Sequence, residues 1–281
     1  MINPVFRGLF DDASLFPPAS LTMVDAVAGH LRHHAAWYSE MSGLFVCADT
    51  RLTQLSAAMT AAGVVELDLA VVLRGGPDGL TAATDVVFAS PRLRLRALEV
   101  PVAEPTPGGV EGLATALDRT PLAGATAFME IPVAHVNAEA LRVAADHRYQ
   151  VKLRTGGTTA EAFPDEATLA RALTALARER QAFKCTAGLH HAVRHRDTET
   201  GFEHHGFLNV ILGVAAALDD ASAAEVEAEL ADTRPEHVAA RVAGLDEDQV
   251  AGVRSLFTSF GTCSTDEPVT DLVTLGLVSR E

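Results

Sequence analysis

The chain has 281 residues, of which 48% are hydrophobic, and its formal net charge at pH 7 is −15. A chain of this length and apolar content can enclose one large core, and α/β barrels of this size commonly form a single domain. The strong negative charge argues against binding to nucleic acid or to an anionic membrane through long-range attraction. The sequence predicts no membrane span and no secretion signal.

The three cysteines, Cys47, Cys185 and Cys263, are far apart in the sequence and follow no zinc or redox spacing. Free cysteines are typical of a reducing compartment, so we expect a cytoplasmic protein. Its expected partner is a small-molecule substrate, with no nucleic acid and no membrane. The sequence leaves homo-oligomerisation open.

Apolar runs typical of strands alternate along the chain with segments of helical period. The predicted strands lie at 6–10, 43–48, 67–73, 93–100 and 126–131, then in two short runs that stop at the glycines 156 and 188, and finally at 256–262. The predicted helices that follow them lie at 21–38, 50–62, 80–89, 108–117, 138–147, 164–180 and, at the end of the chain, 266–277.

Eight strand-then-helix units predict a (β/α)8 barrel that spans residues 1–281 as one domain. Residues 189–255 exceed an ordinary connection and contain helical stretches at 207–218, 223–230 and 248–254. We interpret this region as a helical insertion between strands seven and eight that acts as a lid. The rival fold is an open doubly wound sheet, but the first strand is not followed by Gly-x-Gly-x-x-Gly, which weakens a dinucleotide-binding version.

The chain contains only two lysines, Lys152 and Lys184, and they end the adjacent predicted strands six and seven. Lysine differs from arginine because it can lose its proton and act as a nucleophilic amine. Since barrel active sites lie at the carboxyl ends of the strands, we expect both amines at the barrel mouth, where one could form a Schiff base with a carbonyl compound. The alternative is that each lysine pairs with a carboxylate such as Glu99 or Glu130 and is structural.

Further polar residues are predicted at the same mouth. Arg154 lies on the strand face of Lys152, and Thr186 lies on the strand face of Lys184, because side chains alternate along a strand. Arg154 would bind an anionic substrate, with Thr186 and Asp11 as additional substrate-binding candidates. Glu130 ends strand five before Ile-Pro and is a predicted proton-transfer group.

Five of the histidines are clustered after strand seven, namely His190, His191, His195, His204 and His205. His190 and His205 are predicted acid–base groups, since histidine titrates near neutral pH. Asn209, one helical turn after His205, is a further substrate-binding candidate. His190, His191 and His205 are also candidate ligands of a divalent metal, although no regular ligand spacing is present. No organic cofactor is expected.

The segments Val-Lys-Leu-Arg-Thr-Gly-Gly at 151–157 and Phe-Lys-Cys-Thr-Ala-Gly-Leu at 183–189 resemble the sixth and seventh strands of class I aldolases of the deoxyribose-phosphate aldolase type. That resemblance implies that Lys152 forms the Schiff base and that Lys184 tunes it as a neighbouring cation. The sequence departs from the family at Arg154, where a small residue is usual. The Gly-Gly phosphate loop after strand seven is also replaced, and the long insertion has no counterpart.

The chain as a whole, with its Leu-Phe-Pro-Pro and His-Gly-Phe-Leu-Asn elements, also resembles bacterial proteins described as β/α-barrel-domain proteins. This second resemblance implies a fold and no activity. It leaves the function to be argued from the polar residues at the predicted barrel mouth.

Three functional hypotheses follow. The leading one is a carbon–carbon lyase, similar to an aldolase, that acts on a small anionic carbonyl compound through Lys152. The second is a metal-dependent hydrolase or lyase that uses His190, His191 and His205. The third is a non-catalytic barrel for ligand binding or scaffolding, whose mark would be two salt-bridged lysines and a mouth plugged by the insertion, without an open pocket.

Overall fold

A computed structural model describes residues 2–280 of the chain. The strands are β1 (Phe10–Asp12), β2 (Ser42–Ala48), β3 (Leu67–Val72), β4 (Leu93–Pro101), β5 (Thr126–Glu130), β6 (Gln150–Arg154), β7 (Phe183–Thr186), β8 (His195–Arg196), β9 (Glu203–His204) and β10 (Phe257–Thr262). All except β8 and β9 pair in parallel and form a closed barrel in which β10 lies between β7 and β1. The predicted (β/α)8 barrel is confirmed.

The helices are α1 (Met23–Ala35), α2 (Leu52–Ala61), α3 (Leu80–Phe88), α4 (Pro107–Asp118), α5 (Ala138–Asp146), α6 (Glu166–Arg178), α7 (Phe207–Leu218), α8 (Ala223–Ala231), α9 (Pro235–Ala243), α10 (Glu247–Leu256) and α11 (Asp266–Thr274). Several begin at a side-chain cap. Asn137 and Asp165, for example, each accept a hydrogen bond from the backbone N–H three residues later. No helix within residues 2–280 has the length and apolarity that crossing a membrane requires.

The first strand lies later in the chain than its apolar run predicted. Residues 4–6 form a short 3-10 helix whose Val5 and Phe6 are fully buried, so their apolarity reflects core packing and not a strand. The strand itself is Phe10–Asp12, and both of its aspartates are buried. As a result, Asp11 lies inside the barrel wall and not in a loop beyond it.

The barrel lumen has an apolar part and a charged part. Because successive side chains of a strand face opposite sides, one set of each strand points inward and the other packs against the helices. The inward set of β2 to β5 includes a small apolar cluster of Val46, Ala70, Val72, Ala97 and Phe128. The charged part consists of Asp11, Glu99, Lys152 and Lys184, all buried.

The helices of the region after β7 pack on the flank of the barrel. Helix α7 is buried along nearly its whole length and contacts α6, α8, α9 and α10. Asn209 in α7 accepts a hydrogen bond from the backbone N–H of Arg194 at 2.8 Å and donates to the carbonyls of Glu229 and Asp232. The preceding loop contains the hairpin of β8 and β9, and its Phe202 and His204 pack on Phe163 in the loop after β6.

The loops that follow β6 and β7 touch through two glycines. A Cβ atom on Gly156 would lie 2.7 Å from the Cα of Gly188, and a Cβ atom on Gly188 would lie 2.7 Å from the carbonyl oxygen of Thr155. Gly188 also has a φ of +77°, a region that residues with a side chain rarely adopt. This contact fixes the distance between the ends of the two strands that bear the lysines.

We expect Gly188→Ala to lower the free energy of unfolding by about 1–3 kcal/mol, because the substitution combines an unfavourable φ with a backbone clash. Urea unfolding followed by circular dichroism measures this change. The matched control is Gly75→Ala, where no atom lies within 4 Å of the added Cβ. Equal stability of the two variants would contradict the close packing of the two loops.

Candidate active site

The two lysines lie side by side inside the barrel. Lys152 and Lys184 are paired residues on the neighbouring strands β6 and β7, and each is only 1% exposed. The Nζ atom of Lys152 lies 2.7 Å from Glu99 Oε2 and 2.9 Å from Glu130 Oε2. The Nζ atom of Lys184 lies 2.5 Å from Asp11 Oδ2 and 2.7 Å from Glu99 Oε1. Glu99 therefore binds both ammonium groups, one through each of its carboxylate oxygens.

These contacts form a row of alternating charges, here called the ion chain, which runs in the order Asp11, Lys184, Glu99, Lys152, Glu130, Arg154. At its buried end, Asp11 accepts hydrogen bonds from the hydroxyl of Ser259 at 2.7 Å and from the backbone N–H of Leu44 at 2.8 Å. At its other end, Arg154 Nε lies 2.9 Å from Glu130 Oε1, and the Arg154 side chain is 48% exposed. The ion chain thus connects the lumen to solvent.

The groups of the ion chain stabilise each other in their charged forms. Burial alone would raise the pKa of Glu99, but the neighbouring ammonium groups of Lys152 and Lys184 lower it to about 2. Burial would lower the pKa of Lys184, but the charges of Asp11 and Glu99 raise it above its usual value. Glu130 also has a lowered pKa, because Lys152 and Arg154 outweigh its burial. Lys184 is therefore a protonated cation at neutral pH.

An open pocket of about 480 Å³ lies beside the exposed end of the ion chain. Glu130 and Arg154 line it from the carboxyl ends of β5 and β6. The remaining walls are mainly apolar and come from the loops after β4, β5 and β6 and the start of α6, namely Pro101, Val102, Pro132, Val133, Ala134, Glu161, Ala162, Phe163, Pro164, Asp165 and Thr168. An apolar pocket with a few polar groups is typical of a small-molecule site.

Two sequence-predicted residues lie behind the pocket wall. His205 is fully buried, and its Nε2 lies 2.7 Å from the carbonyl oxygen of Pro164, while its Nδ1 lies 3.4 Å from Arg194 Nη1. Burial lowers the pKa of His205, which keeps the imidazole neutral. Asn209 is also fully buried, and its amide is satisfied by backbone groups. Neither side chain lines the pocket.

The other histidines proposed for catalysis or metal binding lie near α11. His190 Nδ1 is 3.0 Å from Glu267 Oε2, and His191 Nδ1 is 3.1 Å from Asp271 Oδ2. His205 instead binds Pro164, so the three imidazoles have three separate partners. Within the described residues, no group of three or more histidine, cysteine, aspartate or glutamate side chains is arranged to hold a metal ion.

Thr186 ends β7 at the mouth and is partly buried. Its carbonyl accepts a hydrogen bond from the backbone N–H of Thr155 at 2.9 Å, which joins the ends of β6 and β7. The structure therefore brings Lys152, Lys184, Glu130, Arg154 and Asp11 into one connected group, and it places Thr186 at the same end of the barrel.

Sequence reasoning did not include Glu99 and Ser259 among the site residues. Glu99 was expected among the polar residues at the barrel mouth and was considered as a structural partner of a lysine, yet it is the centre of the ion chain. The sequence contains a pattern that predicts this position, because strand alternation places Glu99 on the same face as the lumen residue Ala97. The same alternation places Ser259 opposite the packed residue Phe260.

Comparisons with known proteins reveal similarity in structure and not in sequence. A scan against protein-family models matches none, and no curated protein matches the sequence. The structure is similar to one titled "Unique tetrameric structure of deoxyribose phosphate aldolase from Aeropyrum pernix", with a TM-score of 0.53 and 13% identity. The match covers 97% of this chain and 93% of that chain. At this identity, the similarity shows a shared barrel fold.

We expect Glu99→Gln to lower the free energy of unfolding at pH 7 by about 3–5 kcal/mol, because it removes the charge that two buried ammonium groups share. Since the pKa of Glu99 falls from its usual 4.5 to about 2 in the folded state, its contribution is complete above pH 4.5 and is lost as the pH falls towards 2. The variant should therefore lose less stability than the wild type between pH 5 and pH 2.

Urea unfolding at stepped pH values measures both effects. The matched control is Glu227→Gln on the exposed surface of α8, which should change stability by less than about 0.5 kcal/mol. If Glu99→Gln and the wild type lose stability in parallel on acidification, Glu99 is not the ionised centre of the chain.

Proposed function

We propose that the protein is a lyase, similar to an aldolase, that acts on a small anionic carbonyl compound through a Schiff base at Lys152. One observation carries this proposal. The Lys152 ammonium lies 2.9 Å from Glu130, and Glu130 lines the open pocket together with Arg154. The amine is thus separated from the pocket by a single carboxylate that can accept its proton. The structural similarity to deoxyribose phosphate aldolase supports the choice of reaction class.

Lys152 must lose a proton before it can attack a carbonyl carbon. In the resting structure, Glu130 is held ionised, with a lowered pKa, by Lys152 and Arg154. An anionic substrate that binds the exposed guanidinium of Arg154 would compete with Glu130 for that cation. The proton affinity of Glu130 would then rise, and Glu130 would take the proton from Lys152. In this proposal, substrate binding itself activates the amine.

The free amine of Lys152 then forms a carbon–nitrogen bond to the substrate carbonyl. The carbonyl oxygen gains one proton from the attacking nitrogen and one from Glu130 and leaves as water, and a positively charged iminium remains. The carbon–carbon bond that begins one atom away from the iminium carbon then breaks, and its electron pair forms an enamine on Lys152. The departing fragment becomes a carbonyl compound because its hydroxyl group gives its proton to the Glu130 carboxylate. Lys184 stays protonated throughout, because Asp11 and Glu99 raise its pKa.

A second candidate function is non-catalytic binding of a small anion in the same pocket. It is favoured by the complete pairing of the resting ion chain, in which both lysines are neutralised by carboxylates. The open pocket beside Arg154 would then hold a ligand without covalent chemistry. The two candidates differ in one measurable product, which is a reduced adduct on Lys152.

We expect borohydride reduction in the presence of a panel of short 2-oxo acids and phosphorylated aldehydes to attach one compound covalently to Lys152. Peptide mass spectrometry distinguishes this site from Lys184, the only other lysine. The matched variant is Lys152→Arg, which keeps a cation between Glu99 and Glu130 but supplies no nucleophilic amine. A labelled Lys152→Arg protein would reject Lys152 as the site of the Schiff base. No adduct on the wild type while ligand binds would favour the second candidate.

We expect Arg154→Gln to reduce the rate of trapping at subsaturating substrate by about 10–100-fold, because the substrate anion loses its charged partner. At saturating substrate the loss should be smaller. The rate of adduct formation as a function of concentration measures both. Arg171→Gln, on the exposed side of α6, is the control. If Arg154→Gln changes neither rate, Arg154 does not bind the substrate.

A further inference from the structure

A second group of reactive side chains lies at the carboxyl end of the barrel, away from the ion chain. Cys263 directly follows β10, His190 lies in the loop after β7, and Glu267 lies in the first turn of α11. The Sγ atom of Cys263 is 3.6 Å from Nδ1 and 3.9 Å from Nε2 of His190. Glu267 Oε2 is 3.0 Å from Nδ1 of the same ring. A thiol, an imidazole and an orienting carboxylate are thus in contact.

The charge of His190 favours a reactive thiol. Burial alone would lower the pKa of His190, but hydrogen bonding to Cys263 and Glu267 raises it to about 9, so the ring is a cation at neutral pH. The thiolate is the nucleophilic form of a cysteine, and His190 lies 3.6 Å from the Cys263 sulfur, where it can hold or give up a proton during the reaction. Because Glu267 occupies Nδ1, the N–H at Nε2 is the proton that the ring can give away.

The other two cysteines provide an internal contrast. Cys47 and Cys185 are completely buried, and burial raises the pKa of both thiols, that of Cys47 to about 12. Cys263 is 8% exposed, and the His190 side chain is 16% exposed. Cys263 is therefore the most exposed of the three cysteines, and it has a cationic neighbour.

We propose that Cys263 and His190 form a peroxide-reactive thiol site, in which Cys263 is oxidised to a sulfenic acid and His190 donates the proton that the reaction requires. The site is independent of the proposed lyase activity and uses none of the ion chain. The narrow exposure of the sulfur selects a small reactant. The carboxylates of Glu267 and Asp271 near the two loop histidines disfavour anions, so a neutral peroxide suits the site.

The proposed reaction oxidises the Cys263 sulfur and reduces the peroxide to water. An electron pair of the thiolate sulfur attacks one peroxide oxygen, a sulfur–oxygen bond forms, and the oxygen–oxygen bond breaks. The departing hydroxide takes the Nε2 proton of His190 and leaves as water, and the sulfenic acid takes its hydrogen from the attacked peroxide oxygen. Sulfur is oxidised by two electrons, the peroxide is reduced, and the imidazole becomes neutral. Solvent then returns a proton to His190.

The test treats the reduced, folded protein with hydrogen peroxide at pH 7, removes the peroxide with catalase, and then unfolds the protein in dimedone, which traps sulfenic acids. Peptide mass spectrometry should find the label on Cys263 and not on Cys47 or Cys185, and Cys263→Ser should abolish it. His190→Gln should slow labelling by about tenfold, because it removes both the cation and the proton donor. Glu267→Gln should slow it less, since the ring remains but loses its charged partner.

The matched control is His191→Gln, which changes the adjacent imidazole in the same loop, bonded to Asp271. Its labelling rate should stay within about twofold of the wild type, since it does not contact the sulfur. Label spread equally over the three cysteines would overturn the proposal. So would an unlabelled Cys263, or equal rates for His190→Gln and His191→Gln in proteins with wild-type circular dichroism.

Discussion

The pairing of charges inside the lumen is the constraint on which the rest of the structure depends. A buried ammonium or carboxylate without a partner costs several kcal/mol, so each charged lumen residue must meet its partners when the barrel closes. Glu99 on β4 reaches across the lumen to Lys184 on β7, and Asp11 on β1 reaches the same amine. Because these contacts connect strands that are distant around the barrel, we interpret the ion chain as a device that selects one strand register. The rest of the lumen is filled by Phe128 and by the smaller apolar side chains around it.

The fold could be predicted because it is encoded locally. Each strand and helix has its own period, and eight alternating units allow few closed arrangements. The first strand was misplaced because Val5 and Phe6 are apolar for a different reason, which is burial in a short 3-10 helix. Helix α9 was missed, since Pro235–Ala243 mixes charged and apolar residues over only nine positions. Such a short helix is stabilised mainly by packing, here against α7, so the helical pattern in its own sequence is weak.

The lysines and their partners could be predicted only in part, because composition identifies unusual residues but not distances. The presence of two lysines among many arginines singled out Lys152 and Lys184, and strand alternation placed Arg154 beside Lys152. That one carboxylate, Glu99, binds both amines depends on the barrel diameter and could not be read from the chain. The histidines show that closeness in sequence does not imply closeness in space. His190 and His205 are close to the same strand in sequence, yet one binds Glu267 near α11 and the other binds Pro164 behind the pocket.

In the proposed function, the ion chain also determines what kind of ligand the pocket accepts. Three carboxylates and three cations alternate along it, so the chain is neutral as a whole. A cationic ligand would have to displace Arg154 from Glu130, whereas an anionic ligand can bind the exposed guanidinium and leave Glu130 with the amine of Lys152 alone. A bound anion places a second negative charge beside the Glu130 carboxylate. The repulsion between the two charges is removed if Glu130 takes a proton. Once the ligand holds Arg154, the remaining donor to Glu130 is Lys152, whose Nζ lies 2.9 Å from Glu130 Oε2. In the proposed function, charge balance couples the binding of an anion at Arg154 to proton transfer from Lys152 to Glu130.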